Sequence, residues 1–251
     1  MRKVSIISLI IFAGALCGLA FSPYENYLMS GAQRHVLLLA SVSQGKEAEL
    51  NAEIKKLSKL KKKGISNISG YLTKLNKKQY VLIYFDYNKK EYLNAVADFE
   101  KLKQTQALGS LVDALPLAKS RGNTWLQLEW ICYIQGAELH GKPSSRFSMV
   151  TRVKPEKEME YRMLHQTVWP GIVDWMKRKG YHNFSIYVTY IDDQIYEFFY
   201  TETIKPDQKA ATIKNMESET AYKRWLNNTD ACQNPLKGAD GIWLMTDSIL
   251  K

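Results

Sequence analysis

Residues 180–201 read GYHNFSIYVTYIDDQIYEFFYT, and residues 64–85 read GISNISGYLTKLNKKQYVLIYF. The two stretches follow one plan. Each opens on a glycine, Gly64 or Gly180, with an asparagine three residues on, Asn67 or Asn183, and a tyrosine four after that, Tyr71 or Tyr187. Each then reads as a hairpin: Tyr71–Leu75 with Gln79–Tyr87, and Ser185–Tyr190 with Gln194–Thr201. The turn-forming runs are Asn76-Lys77-Lys78 and Asp192-Asp193. On the return strands Tyr80 and Tyr84 match Tyr196 and Tyr200.

Outward from the hairpins the repeat continues in both directions. Upstream lie an apolar strand (His35–Ala40, Phe147–Val153) and a charged helical stretch (Lys46–Lys63, Pro155–Lys179), each helix stopped by its glycine. Downstream come a second helix (Lys90–Lys103, Pro206–Asn227), a proline (Pro116, Pro235) and a tryptophan-bearing last strand (Thr124–Ile134, Gly241–Thr246). The order β-α-β-β-α-β is the ferredoxin-like pattern. Its sheet carries helices on one face only, so the other face needs a cover. The expected fold is therefore α+β, two tandem ferredoxin-like repeats closing sheet to sheet as a pseudo-dimer of the dimeric α+β barrel type. The expected boundaries are a leader at 1–20, a first repeat at 34–136, a linker at 137–145 and a second repeat at 146–251. Pairing of each repeat with another chain, or a further homo-oligomer, stays open.

The chain has 251 residues, of which 45% are hydrophobic and 24% charged. That composition supports packed cores and shows no disorder signature. The net charge of +10 owes much to Lys55–Lys63. No arginine or aromatic residue is interleaved there, so it reads as a solvated helix face, and no nucleic-acid partner is expected. Met1-Arg2-Lys3, the apolar run Val4–Leu16 and Gly18-Leu19-Ala20 have the form of a secretory signal peptide. The expectation is export to a bacterial periplasm or cell surface, with no membrane span after processing. An N-terminal anchor, through an uncleaved leader or a lipid on Cys17, is the alternative. The remaining cysteines, Cys132 and Cys232, stay open between free thiols and a disulfide. No metal-ligand spacing, nucleotide-binding glycine motif, nucleophile elbow or HExxH is present, so neither metal nor cofactor is expected.

The two repeats differ in one place. In the second, Tyr161, His165 and Trp169 recur at i, i+4 and i+8 and so share a helix face, with Pro170 following. The first helix of the other repeat has no histidine, tyrosine or tryptophan around Glu49–Lys63. Aromatic faces stack on sugar C–H groups and polar tips bind hydroxyls, so such a row suits a monosaccharide. Packing of an amphipathic helix is the plainer reading.

The run His165-Gln166-Thr167-Val168-Trp169-Pro170 resembles the L-rhamnose mutarotase family. So do Tyr161, Asn183-Phe184-Ser185-Ile186-Tyr187, Arg224-Trp225 and Thr229-Asp230-Ala231-Cys232-Gln233. The likeness spans about 146–246; the first repeat shares only the scaffold. The resemblance implies a cofactor-free sugar mutarotase that interconverts the α and β anomers of L-rhamnose or a related pyranose. It implies His165 as proton donor and Tyr161, Trp169, Phe184, Tyr187, Trp225 and Asp230 as substrate-binding residues. Phe184 stands where members often have a tyrosine, which bears on sugar preference. A non-catalytic carbohydrate-binding or sensor protein, or an enzyme like the cofactor-independent monooxygenases, is the alternative on this scaffold.

Overall fold

A computed structural model describes residues 33–60, 64–88, 92–137, 142–204 and 216–250. The leader at 1–20 with Cys17, the start of the helix expected from Pro206 and residues 138–141 of the linker lie outside the described residues.

The first half runs β1 (Arg34–Val42), α1 (Glu47–Lys56), β2 (Ile65–Leu75), β3 (Lys78–Tyr87), α2 (Ala95–Glu100), α3 (Lys103–Gly109), β4 (Val112–Asp113), α4 (Pro116–Ser120), β5 (Leu126–Gln127) and β6 (Glu129–Gly136). The second runs β7 (Ser145–Val153), α5 (Glu158–Gln166), α6 (Pro170–Arg178), β8 (Tyr181–Ile191), β9 (Gln194–Thr203), α7 (Met216–Cys232), β10 (Gln233–Asn234), β11 (Leu244–Met245) and β12 (Asp247–Leu250). The hairpin turns fall where expected. Asn76-Lys77 and Asp192-Asp193 all take positive φ, as two-residue turns between twisted strands require.

The two antiparallel sheets run β12-β2-β3-β1-β4 and β10-β7-β9-β8-β6, with β5 and β11 also on β1 and β7. Alternation along each strand sorts the side chains into layers. Leu37, Leu39, Tyr71, Leu82 and Tyr84 of one sheet pack against Val150, Tyr187, Tyr196, Phe198 and Tyr200 of the other. The opposite faces pack on helices: Val36, Leu38, Val81 and Ile83 on Leu50 and Ile54 of α1, and Ile186 and Phe199 on Ile172, Trp175 and Trp225. The order is helices, sheet, sheet, helices within one chain.

The last strands depart from expectation. Neither Thr124–Ile134 nor Gly241–Thr246 forms one strand of its own sheet. Thr124–Ile134 breaks into a short piece on its own first strand, β5 on β1, and a longer piece, β6, that crosses to β8; Gly241–Thr246 yields only the short β11 on β7, and the strand after it, β12, crosses to β2. The exchange is reciprocal. It covers the open edges of β2 and β8, which would otherwise present unpaired backbone groups.

Asn67 and Asn183 sit at equivalent bulges, where pairing with the neighbouring strand shifts register, and both have φ of 53°. Asparagine tolerates this left-handed conformation better than most side chains. Both amides then reach across the inter-sheet core, Asn67 Nδ2 to Glu202 Oε1 at 2.6 Å and Asn183 Nδ2 to the Tyr84 hydroxyl at 2.8 Å.

The first helices are shorter than expected. α1 gives way to a 3-10 turn at Leu57–Lys59. The stretch Pro155–Lys179 is a 3-10 turn, α5, a break and α6. Pro170 causes the break. It holds Trp169 extended (φ −66°, ψ 138°) and itself takes the first position of α6, where a missing N–H costs nothing.

Candidate functional site

The row of Tyr161, His165 and Trp169 is not one helix face, because α5 ends before Trp169. The three are gathered instead by a residue from another element. Trp225, on α7, meets the His165 ring edge-on at 5.2 Å and the Trp169 ring edge-on at 5.4 Å. Tyr161 and His165 are neighbours on α5 with ring centres 4.2 Å apart. The cluster lies between the helix layer and the sheet of the second half.

His165 is 5% exposed. Its Nδ1 stands 2.9 Å from the Tyr161 carbonyl oxygen. A carbonyl only accepts, so Nδ1 carries the proton and Nε2 is left as the acceptor. Burial pushes the imidazole down to about 4, with the carbonyl bond working weakly the other way. At neutral pH the ring is neutral, with one defined tautomer.

Beneath Tyr161 lies a residue that sequence reasoning missed. Glu197, on β9, has no exposed surface. It accepts hydrogen bonds from the Tyr161 hydroxyl and from Gln233 Nε2, the latter at 2.9 Å. Among the described residues no cation pairs with it. Burial pushes its carboxyl up to about 8, against the opposing effect of the two hydrogen bonds. Burial likewise pushes Tyr161 well above the ordinary phenol range and Cys132 up to about 12. The signal for Glu197 was a single acid among apolar and aromatic residues on the return strand, at a helix-facing position.

Part of this wall comes from the first half. Cys132 and Ile134 of the exchanged strand β6 pack in the cluster with Trp225 and Ile186. Arg162 on α5 clasps Glu129 of β6 with its two terminal guanidinium nitrogens, at 2.7 and 2.9 Å. The equivalent region of the first half is apolar: Ala40 pairs with Val81 where the second half pairs Thr151 with Glu197.

The other expected site residues divide. Phe184 faces the helix layer, half-buried, 5.3 Å from Phe199 and in one cluster with Trp169 and Trp225. Asp230 is half-exposed on α7, its carboxyl raised by partial burial. Tyr187 is not part of the site. It is fully buried in the core between the sheets, because strand alternation turns it away from Ile186 and Val188, which face the helices. Beside the cluster opens a groove of about 450 Å³ lined by Trp169, Glu217, Thr220, Ala221 and Arg224. Cys132 and Cys232 are buried free thiols. Among the described residues no set of three or more His, Cys, Asp or Glu is placed to hold a metal ion, and no helix is long and apolar enough to cross a membrane.

The fold is that of a solved structure from Fusobacterium nucleatum described as a candidate monooxygenase. The TM-score is 0.50 over 88% of this chain and 94% of that one, at 12% identity. At that identity the likeness concerns architecture alone. The L-rhamnose mutarotase of Tolumonas auensis is 31% identical over 91 residues, 36% of this chain and 88% of that protein. The L-rhamnose mutarotase of Oceanobacillus iheyensis matches over the same length at the same identity. The L-rhamnose mutarotase family profile matches residues 146–249, the half that holds Tyr161, His165, Trp169 and Trp225, and the chain belongs to that family.

Proposed function

We propose that the second half is a sugar mutarotase, interconverting the α and β anomers of L-rhamnose or a related pyranose, with His165 moving the proton at the anomeric oxygen. Family membership supports the reaction class. The observation that carries the role of His165 is its fixed tautomer, with Nδ1–H on the Tyr161 carbonyl and Nε2 unprotonated on a neutral ring.

Mutarotation opens the pyranose at the C1–O5 bond and recloses it on the other face of the carbonyl. Nε2 takes the O1 proton as the C1=O1 bond forms and gives it back when the ring closes, so the donor role that the family resemblance implies falls on the closing step. One group serves in both directions, which suits an imidazole. Tyr161 orients the sugar, and Trp169 and Trp225 offer apolar faces to its C–H groups. The groove beside Trp169 is the approach. The uncatalysed reaction is already appreciable, so a contribution of roughly 10²–10⁴-fold from acid–base groups suffices.

The first repeat, with Val81 and no aromatic row on α1, serves as a built-in partner that closes the barrel and has no such site of its own. The leader-like sequence at 1–20 supports action outside the cytoplasm, on sugar released from rhamnose-containing polysaccharide. Cell fractionation tests this, and quantitative recovery in the cytoplasm would rule it out.

The test of the reaction is saturation-transfer NMR of anomeric exchange in L-rhamnose, with His165→Ala as the control. Acceleration by the wild type, lost in the variant, is expected. Sugar binding with no acceleration would make the chain a carbohydrate-binding protein instead.

A further inference from the structure

Ring opening needs two proton transfers, and His165 accounts for one. We propose that Glu197 supports the other as a positioning residue: its carboxyl loads the Tyr161 hydroxyl, which donates to the ring oxygen O5. The inference rests on the mutarotase reading.

The geometry is that of a short relay. Glu197 is fully buried and touches the Tyr161 hydroxyl, and the Tyr161 ring lies 4.2 Å from the His165 ring. The family resemblance makes Tyr161 a sugar contact beside His165, so a sugar held against His165 meets the phenol as well. The groups facing the carboxyl are few: Tyr161 from α5, Gln233 from β10, Thr151 paired across from β7, Cys132 from β6 and Cys232 at the end of α7. None of them is a cation. Gln233 holds Oε2 through its N–H, which leaves Oε1 to carry the proton against Tyr161; when the Tyr161 hydroxyl turns from Oε1 to the sugar's O5, its bond to the carboxyl reverses and Glu197 donates. Burial keeps the carboxyl protonated at neutral pH. The position belongs to this half alone, because its counterpart in the first half is Val81.

The step balances. O5 takes the phenol proton as the C1–O5 bond breaks and its electron pair moves to O5. The phenol is refilled from the Glu197 carboxyl, while His165 Nε2 accepts the O1 proton and the O1–H pair becomes the second bond of C1=O1. After rotation about C1–C2, closure re-forms C1–O5 on the other face. The O5 proton returns through Tyr161 to Glu197, and His165 reprotonates O1. No co-reactant is consumed.

The test measures anomeric exchange against pH in full-length wild type, Glu197→Gln, Tyr161→Phe and the double variant. The wild-type rate should fall as pH rises through about 8, where Glu197 loses its proton. Glu197→Gln should slow exchange by roughly 10- to 100-fold, within the range of one acid–base group, and should lack that alkaline limb. The double variant should be no slower than Tyr161→Phe alone, because both changes cut one relay. A Glu197→Gln enzyme with wild-type rate and pH profile overturns the role of Glu197 and leaves the mutarotase reading intact. So does a slowed one that keeps the limb, or whose loss multiplies with that of Tyr161→Phe. Wild-type protein that accelerates exchange in no sugar overturns the mutarotase reading itself, and the relay with it. ¹³C NMR titration of the glutamate carboxyls supplies a readout without turnover. A Glu197 resonance that titrates in the ordinary carboxylate range would also overturn the relay.

Discussion

The rings of Tyr84 and Tyr200 stack face to face across the junction of the two sheets, with centroids 3.4 Å apart and planes 10° from parallel. They are equivalent residues of the two repeats. Each donates its hydroxyl to the carboxylate two residues on, Tyr84 to Asp86 at 2.6 Å and Tyr200 to Glu202 at 2.7 Å. Each carboxylate also faces a basic side chain at the matching place on its own first strand, His35 at 2.9 Å from Asp86 and Arg146 at 3.6 Å from Glu202. The repeats thus meet through a buried polar pair as well as through aliphatic side chains.

Tyr84→Ala should accordingly cost about 3–5 kcal/mol, the range for removing a large buried ring. Tyr84→Phe keeps the stack but deprives Asp86 of a donor and Asn183 of an acceptor, at a cost of about 1–3 kcal/mol. Urea unfolding followed by tryptophan fluorescence reads both. A loss below ~1 kcal/mol in the alanine variant would show that the sheets are held together elsewhere.

The strand exchange makes the last residues of the second repeat part of the first sheet. A chain ending at Thr246 lacks β12, which pairs with Gly70–Leu72 and buries Leu250 against the core of α1. Losing that side chain alone should cost about 2 kcal/mol. Amide hydrogen exchange should quicken at Gly70–Leu72, far away in sequence, and hardly change along β9. Unchanged protection in β2 would mean that the exchanged strand adds nothing to the first sheet.

Much of this was legible in the sequence. The matched glycines, asparagines and tyrosines fixed the repeat because each serves a backbone or inter-sheet requirement. Asn67 and Asn183, for instance, occupy a left-handed bulge that few side chains accept. Strand exchange was not legible, since hydrophobic alternation tells which face of a strand is buried but not which edge it joins. The break before Trp169 was readable in Pro170, yet the gathering of Trp169 and His165 around Trp225 depends on a crossing of α7 that no local spacing encodes. Tyr187 was misplaced for the opposite reason. It sits in a matching motif, but one residue of strand phase sends its ring to the other side of the sheet. Glu197 escaped notice because a lone acid in a strand is ordinarily solvated.

The buried pair His165 and Glu197 gives the protein a particular pH dependence of stability. The folded imidazole is held down to about 4 from an ordinary 6.5, so its contribution is present above pH 6.5 and is lost as pH falls toward 4. The folded carboxyl is held up to about 8 from an ordinary 4.5, so its contribution is present below pH 4.5 and is lost as pH rises toward 8. Between pH 4.5 and 6.5 the unfolded chain holds one more proton at the histidine and one fewer at the glutamate, and the two slopes cancel. From pH 6.5 to 8 only the glutamate acts, and each pH unit costs about 1.4 kcal/mol. Wild-type stability should therefore drop by about 2 kcal/mol over that interval relative to Glu197→Gln, whose amide does not titrate. Chemical denaturation of both proteins at pH 5.5, 6.5, 7.5 and 8 measures the difference. Parallel curves would place the Glu197 carboxylate, charged and satisfied, in the folded protein at neutral pH.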